Sequence, residues 1–258
     1  MNRVMPIVQV LSLLLAVAAS IWAEEVNSEQ AKAVTQIDKL LGVVTLDEKS
    51  PAKPVIGVDL SETDVTDAAL ACLKGLITLR SLNLSRTKVS DAGLENIKGL
   101  TKLGSLDLSC TKVTDIGVEC LKGMSKLVGL WLGDTNVTDS GLKNLKGLAK
   151  LRMLGLPKTI TDAGLEHLNG LTALQVLQLP DTNVTDAGLE RLKRLSNLTV
   201  LDLSNTKVTN AGLFYLKGLT KLRELRLVGT AVTHVGVKYL QHALPECKIQ
   251  LYPSHPGT

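Results

Sequence analysis

Between Val55 and His242 apolar and polar positions return in one fixed order, repeated eight times. Copies starting at Leu76, Leu100, Met124, Leu171, Leu195 and Leu219 run for 24 residues, and the copy starting at Leu148 runs for 23. The stretch from Leu100 to Gly123 illustrates the reading. Leu106 and Leu108 alternate with Ser105, Asp107 and Ser109, the period of a short strand with one buried face. Thr111 and Val113 then turn inward, Thr114 and Asp115 open a helix expected to reach Leu121, and Gly123 closes it. A repeat length in the twenties makes each copy one stacking unit. No copy folds alone: ordering each of its residues costs on the order of 1.5 kcal/mol, while each buried apolar side chain returns roughly 1.5–3 kcal/mol. Burial requires a neighbour on both sides, so the copies must stack.

Two polar columns accompany the leucines. Ser or Thr stands at every helix entrance: Thr66, Ser90, Thr114, Thr138, Thr161, Thr185, Thr209 and Thr233. A hydroxyl there is expected to accept a hydrogen bond from a first-turn amide. Asp follows in six of the eight copies, where its charge suits the helix N-terminus. Gly75, Gly99, Gly123, Gly147, Gly170 and Gly218 stand where left-handed cap residues are expected. The second column is Thr63, Thr87, Thr111, Thr135, Thr159, Thr182, Thr206 and Thr230. It falls where the chain leaves the strand, and its hydroxyls are expected to satisfy interior backbone groups. Recurrence in every copy gives these columns a structural role, because an active site needs different groups converging at one place. No Ser/His/Asp or Cys/His set and no phosphate loop is recognisable, and His167, His234, His242 and His255 lack metal-ligand spacing. The expectation is a chain that is not an enzyme, with no catalytic residues, no metal and no cofactor.

The pattern LxxLxxLxLSxTxVTDAGLxxLKG resembles the leucine-rich repeat, in the form found in exported bacterial repeat proteins and more distantly in the cysteine-containing repeats of F-box proteins. Where that family usually places Asn or Cys, this chain has the second Thr column. The resemblance implies an α/β fold: a right-handed leucine-rich-repeat solenoid with a parallel sheet on the concave face and short helices on the convex face. For function it implies a binding scaffold, since one fold serves many partners.

The ends depart from the repeat. Asn2 and Arg3 precede the apolar stretch from Val4 to Ala19, and small residues follow before Glu24, the arrangement of a secretory signal over residues 1–23. The apolar stretch is short for a span, which needs about 20 residues; cleavage after Ala23, or after Ser20 or Ala18, is expected over retention as an anchor. Residues 24–54 read as an N-terminal cap, with an amphipathic helix from Ser28 to Leu41 and a strand from Val43 to Leu46. Residues 55–242 hold the eight repeats, and 243–258 a capping strand through Ile249 and Leu251 with a tail stopped by Pro253 and Pro256. The cap is short for an F-box, which argues against a ubiquitin-ligase adaptor. An exported chain is expected to be periplasmic, envelope-bound or secreted. Charge is mildly positive at +4 with both signs interspersed and aromatics are 2% of residues, so nucleic-acid stacking platforms have no material. Cys72 and Cys120 share a column two repeats apart, about 9–10 Å by strand spacing, beyond the roughly 7 Å reach of a disulfide; four free thiols are expected.

The strand residues free to vary carry what distinguishes one copy from another. One concave column is Gly57, Ser81, Ser105, Gly129, Met153, Val176, Val200 and Glu224, and the next is Asp59, Asn83, Asp107, Trp131, Gly155, Gln178, Asp202 and Arg226. Trp131, the one tryptophan remaining once the signal is removed, falls among Gly129, Met153, Gly155 and Val176, with Gln178 beyond and Asp107 and Asp202 on either side. A large amphipathic ring among apolar and small residues, with an acidic rim, has the composition of an interface anchor. The expected partner-binding set is therefore Trp131, Asp107, Met153, Gly155, Val176, Gln178 and Asp202. Its ligand is expected to be a protein or peptide carrying a basic residue beside an apolar one, met by a monomer. The bland alternative is an indole lying flat over Gly155 to fill space. A structural or self-associating envelope protein is the alternative function.

Overall fold

A computed structural model describes residues 28–252. Ten strands lie side by side in chain order: β1 (Val43–Leu46), β2 (Val55–Asp59), β3 (Ser81–Asn83), β4 (Ser105–Asp107), β5 (Gly129–Trp131), β6 (Met153–Gly155), β7 (Val176–Gln178), β8 (Val200–Asp202), β9 (Glu224–Arg226) and β10 (Lys248–Gln250). From β2 to β10 every neighbouring pair is parallel and residues one repeat apart face each other, as in Leu82, Leu106, Leu130 and Leu154. From β3 onward the strands are only three residues long because Ser81, Ser105 and their equivalents start pairing just after the turn and the next turn follows at once. The sequence-predicted secretory signal lies outside the described residues.

β1 departs from the expected parallel sheet: it pairs antiparallel with β2. The link from Asp47 to Pro54 is too short for the crossover that a parallel pair requires, and the Asp47 amide donates to the Pro54 carbonyl at 2.9 Å to close a hairpin. Helix α1 over residues 28–39 covers the first repeat with buried Ala33 and Ile37. Leu41, expected on its apolar face, instead points out with φ 61°. At the other end, α2 (His234–Ala243) buries Leu240, and Leu244 and Cys247 follow it into the core.

The convex side is made of short turns, some α-helical, such as Asp115–Glu119, and some 3-10, such as Gly141–Gly147. Leucines from both sides meet in one continuous core; Leu103, Leu106, Leu108, Val113, Val118 and Leu121 of a single copy are all fully buried. The glycines at the convex ends are not left-handed caps; the one glycine with positive φ among the described residues is Gly229. The chain runs straight into the first apolar residue of the next copy, whose amide closes a tight turn three residues back, as in Met124 to Leu121 at 2.9 Å. Left-handed backbone occurs instead at the strand exit, in Glu62, Arg86, Cys110, Asp134, Asp181 and Asn205 as well as Gly229. The 23-residue copy lacks it, consistent with one residue fewer at that corner.

Both polar columns tie backbone, and one ties repeats together. The inner threonines donate to the strand leucine three residues back at 2.6–2.8 Å, for example Thr111 to Leu108 and Thr182 to Leu179. Thr159, in the shortened copy, turns outward and donates to the Val137 carbonyl of the preceding repeat. The aspartates do more than complement a helix end. Each reaches forward one repeat: its Oδ1 accepts from the backbone amide of the next cap residue at 2.7–2.9 Å, and its Oδ2 accepts the cap hydroxyl at 2.6–2.7 Å. With its hydroxyl hydrogen given to the aspartate, the cap threonine accepts a weaker bond at 3.2–3.3 Å from its own first turn in five copies. Ser90, Thr66 and Thr233 make no such cap bond.

Candidate functional site on the concave face

The pairing places the sequence-predicted residues in two adjacent rows. Asp107, Trp131, Gly155, Gln178 and Asp202 form one row across five strands, and Met153 and Val176 lie in the row beside it. Trp131 is half-buried. A Cβ on Gly129 would come within 2.7 Å of the far edge of the six-membered ring, and one on Gly155 within 3.1 Å of Cδ1. The indole therefore lies over its own strand and the next; a Cβ at Gly129 would overlap the ring, and one at Gly155 would press on it. This is the geometry of the flat-lying ring, with one face against glycines and the other free.

The two carboxylates of the expected acidic rim differ. Asp202 is 9% exposed and its Oδ1 accepts from the Ser204 amide and hydroxyl at 2.9 and 2.6 Å. Arg226 sits 3.5 Å from its other oxygen and 2.7 Å from Glu224. These mutual pairs raise the Arg226 pKa, chiefly through the Glu224 hydrogen bond, and close the C-terminal end of the face internally. Asp107 keeps one carboxylate oxygen toward the open side, while Oδ1 accepts from the Ser109 amide at 2.8 Å. Asp59 and Asn83 make the same turn with Ser61 and Ser85. Burial opposes the charge on Asp59, but hydrogen bonds from Ser61 and Asn83 outweigh it and hold its pKa below the ordinary carboxylate value.

The open part of the face lies toward the N-terminus. A trough of about 540 Å³ runs from β1 to β5, floored by Gly57, Ser81 and Ser105 and carrying Asp59, Asn83 and Asp107. Trp131 stands at one end, and Val43 with Thr45 at the other, where Arg80 also enters. Met153, Val176, Gln178 and Asp202 lie outside this trough. Sequence reasoning missed the wall from β1 because that strand stands outside the repeat and has no column position; the short link to Pro54 was the signal that it folds back beside β2.

Among the described residues no group of His, Cys, Asp and Glu is arranged to hold a metal ion, and no helix is long and apolar enough to cross a membrane. Short parallel strands alternating with convex turns around one leucine core define a leucine-rich-repeat solenoid. The leucine-rich repeat region family matches residues 57–234, well over half of the chain, and the chain belongs to that family. Among solved structures it is similar to an internalin (inlF) from Listeria monocytogenes, with 25% identity and a TM-score of 0.63 over 76% of this chain and 53% of that one. It is also similar to internalin C2 from Listeria monocytogenes, with 27% identity and a TM-score of 0.61 over 78% of this chain and 87% of that one. The chain thus spans about half the length of the first of these and most of the second. A comparison with curated proteins gives no match.

Proposed function

We propose that this protein is a non-enzymatic, exported scaffold that binds a protein or peptide through the N-terminal half of its concave face. The trough that ends at Trp131 is the observation that carries this reading: an indole with one free face, an apolar Val43 opposite, and two carboxylates over a floor of small residues. Such a surface favours an extended segment with an apolar side chain against Trp131 and a Lys or Arg over Asp59 and Asp107, because aromatic anchors and complementary charge supply affinity and orientation. Met153 and Val176 extend the apolar contact beyond the ring, Gln178 adds a polar amide beside it, and Asp202 acts through Arg226 rather than as a direct ligand. The protein acts as a monomer, with no nucleic-acid partner, at or outside the cell envelope after loss of residues 1–23.

A displayed random-peptide library panned on the purified protein tests this. The expected result is enrichment of basic–apolar peptides that shift the fluorescence of Trp131 and bind Trp131→Ala at least about tenfold more weakly, roughly 1.4 kcal/mol. Enriched peptides that bind Trp131→Ala and Asp107→Asn as tightly as the parent would overturn it.

A further inference from the structure

The repeats provide their own reference for an anomaly on the convex surface. In three copies a Glu stands three residues before the helix-end Lys and pairs with it: Glu95 with Lys98 and Glu119 with Lys122 at 2.6 Å, and Glu190 with Lys193 at 3.3 Å. In the next copy Phe214 takes the Glu position. Lys217 has no carboxylate there and lies instead over two rings, 5.2 Å from the centroid of Phe214 and 3.6 Å from that of Tyr239. Phe214 is 61% exposed, Tyr239 54% and Val235 76%. Val235 and Tyr239 are four apart on α2 and so share one face. Folding does not require these side chains, since other copies carry Glu or Asn in the two aromatic positions, as at Glu190 and Asn96.

The surroundings carry a matching charge. The chain's one Phe and all three Tyr fall between residues 214 and 252. Residues 186–252 hold ten Lys and Arg against five Asp and Glu, although the whole chain is only +4. Of the five acids, Asp186, Glu190, Asp202 and Glu224 are already bound to partners within the fold. Exposed Arg194 and Lys238, half-buried Lys217 and, in its exposed pair with Glu190, Lys193 therefore lie on the same convex side as the apolar, aromatic cluster. An exposed apolar cluster with basic neighbours is the make-up of surfaces that lie on lipid headgroups. A convex surface with three projecting side chains fits a deformable bilayer, which demands no shape complementarity, better than a rigid partner, which does.

We propose that the convex surface of the last two repeats docks on an anionic lipid bilayer. Phe214, Val235 and Tyr239 enter the headgroup boundary, and Lys193, Arg194, Lys217 and Lys238 face the lipid phosphates. This surface is on the opposite side from the trough and independent of it. Co-sedimentation of the full chain with vesicles of phosphatidylcholine, alone or mixed with phosphatidylglycerol, tests the proposal. The double variant Phe214→Glu/Tyr239→Asn restores side chains that other copies carry, and its fold is checked by circular dichroism and melting temperature. Because it shares the apolar N-terminus with the parent, the difference between them reports this surface alone. Expected are binding to anionic vesicles at least about tenfold tighter than to neutral ones, a roughly tenfold loss in the folded double variant, and strong weakening near 0.5 M salt, where charges are screened beyond about 4 Å. Equal sedimentation of parent and variant, or equal binding to neutral vesicles, would overturn it. So would binding of soluble polyglutamate with the same affinity and the same loss in the variant, which would make the ligand an acidic polypeptide.

Discussion

Asp115 shows how one side chain links two repeats. Its two oxygens accept the Thr138 amide at 2.7 Å and the Thr138 hydroxyl at 2.6 Å, and hydrogen bonds to a charged group contribute about 1.5–3 kcal/mol each when sheltered. The site is partly solvated, so Asp115→Ala is expected to lower unfolding free energy by about 2 kcal/mol in urea titration. Asp115→Asn is expected to cost about half as much, because Asn210 already makes the equivalent contacts with Thr233, donating to its hydroxyl and accepting from its amide at 2.9 Å. Gly141 completes the joint: an added methyl would overlap Asp115 Oδ1 and press on Val137. Gly141→Ala should therefore destabilise the protein, while Gly123→Ala, with nothing near its added carbon, should stay within about 0.5 kcal/mol of the parent. The two losses should not add in Asp115→Ala/Gly141→Ala, since one removes the atom that the other strikes. Cys120 makes a separate residue-scale case. Burial first, then the hydrogen bond to Glu95 and its charge, push the thiol up to about 11. Alkylation of Cys120 by iodoacetamide should accordingly keep rising with pH past about 10.5, where an ordinary cysteine, with a pKa of about 8.5, has levelled off; a plateau by about pH 10 would show a normal thiol.

At the scale of the element, the strand exit is where local preference and fold disagree. Cys110 holds φ 56° so that its amide can donate to the Gly133 carbonyl one repeat on at 2.8 Å. A left-handed L-residue costs about 1–2 kcal/mol, partly offset by the entropy that glycine loses on folding. Cys110→Gly is expected to raise stability by about 0.5 kcal/mol, read from the urea midpoint; a lower midpoint would show that the Cys110 side chain stabilises the corner. The sequence made the strand and core positions legible because alternating leucines have one meaning, burial, and the 24-residue interval sets which strands are neighbours. The same interval led naturally to Trp131 beside Gly155. It did not reveal the forward reach of Asp67, Asp91 or Asp115, because a carboxylate after a cap threonine fits a helix terminus equally well when one copy is read alone. Nor did it distinguish Gly93 and Gly117, which make room for that carboxylate, from Gly99 and Gly123, which meet nothing. The trough was half legible: its floor and Trp131 lie in columns, but its far wall belongs to a hairpin with no counterpart in the repeat.

For the whole molecule, contacts join each repeat mainly to the next, so stability is expected to be distributed along one axis. The N-terminal end depends on α1, where Ile37 is fully buried and Ala33 nearly so. Removing three carbons from Ile37 leaves a cavity costing about 2–5 kcal/mol in a rigid core, but here the loss falls on an end that can open without the rest. Ile37→Ala should therefore speed amide exchange through α1, β1, β2 and β3, decline across the following repeats, and leave β8, β9 and β10 as in the parent. Leu130→Ala, an equally severe truncation in the middle of the array, should raise exchange on both sides of β5. Hydrogen exchange read by mass spectrometry separates this from the alternative directly. A uniform rise along the chain in both variants would mean that the aspartate joints and the shared leucine core couple all the repeats into one cooperative unit, in which case the trough would open only when the entire solenoid does. A graded profile would instead confine the cost of an end defect to the end, leaving the Trp131 surface ordered while the Val43 wall beside it loosens.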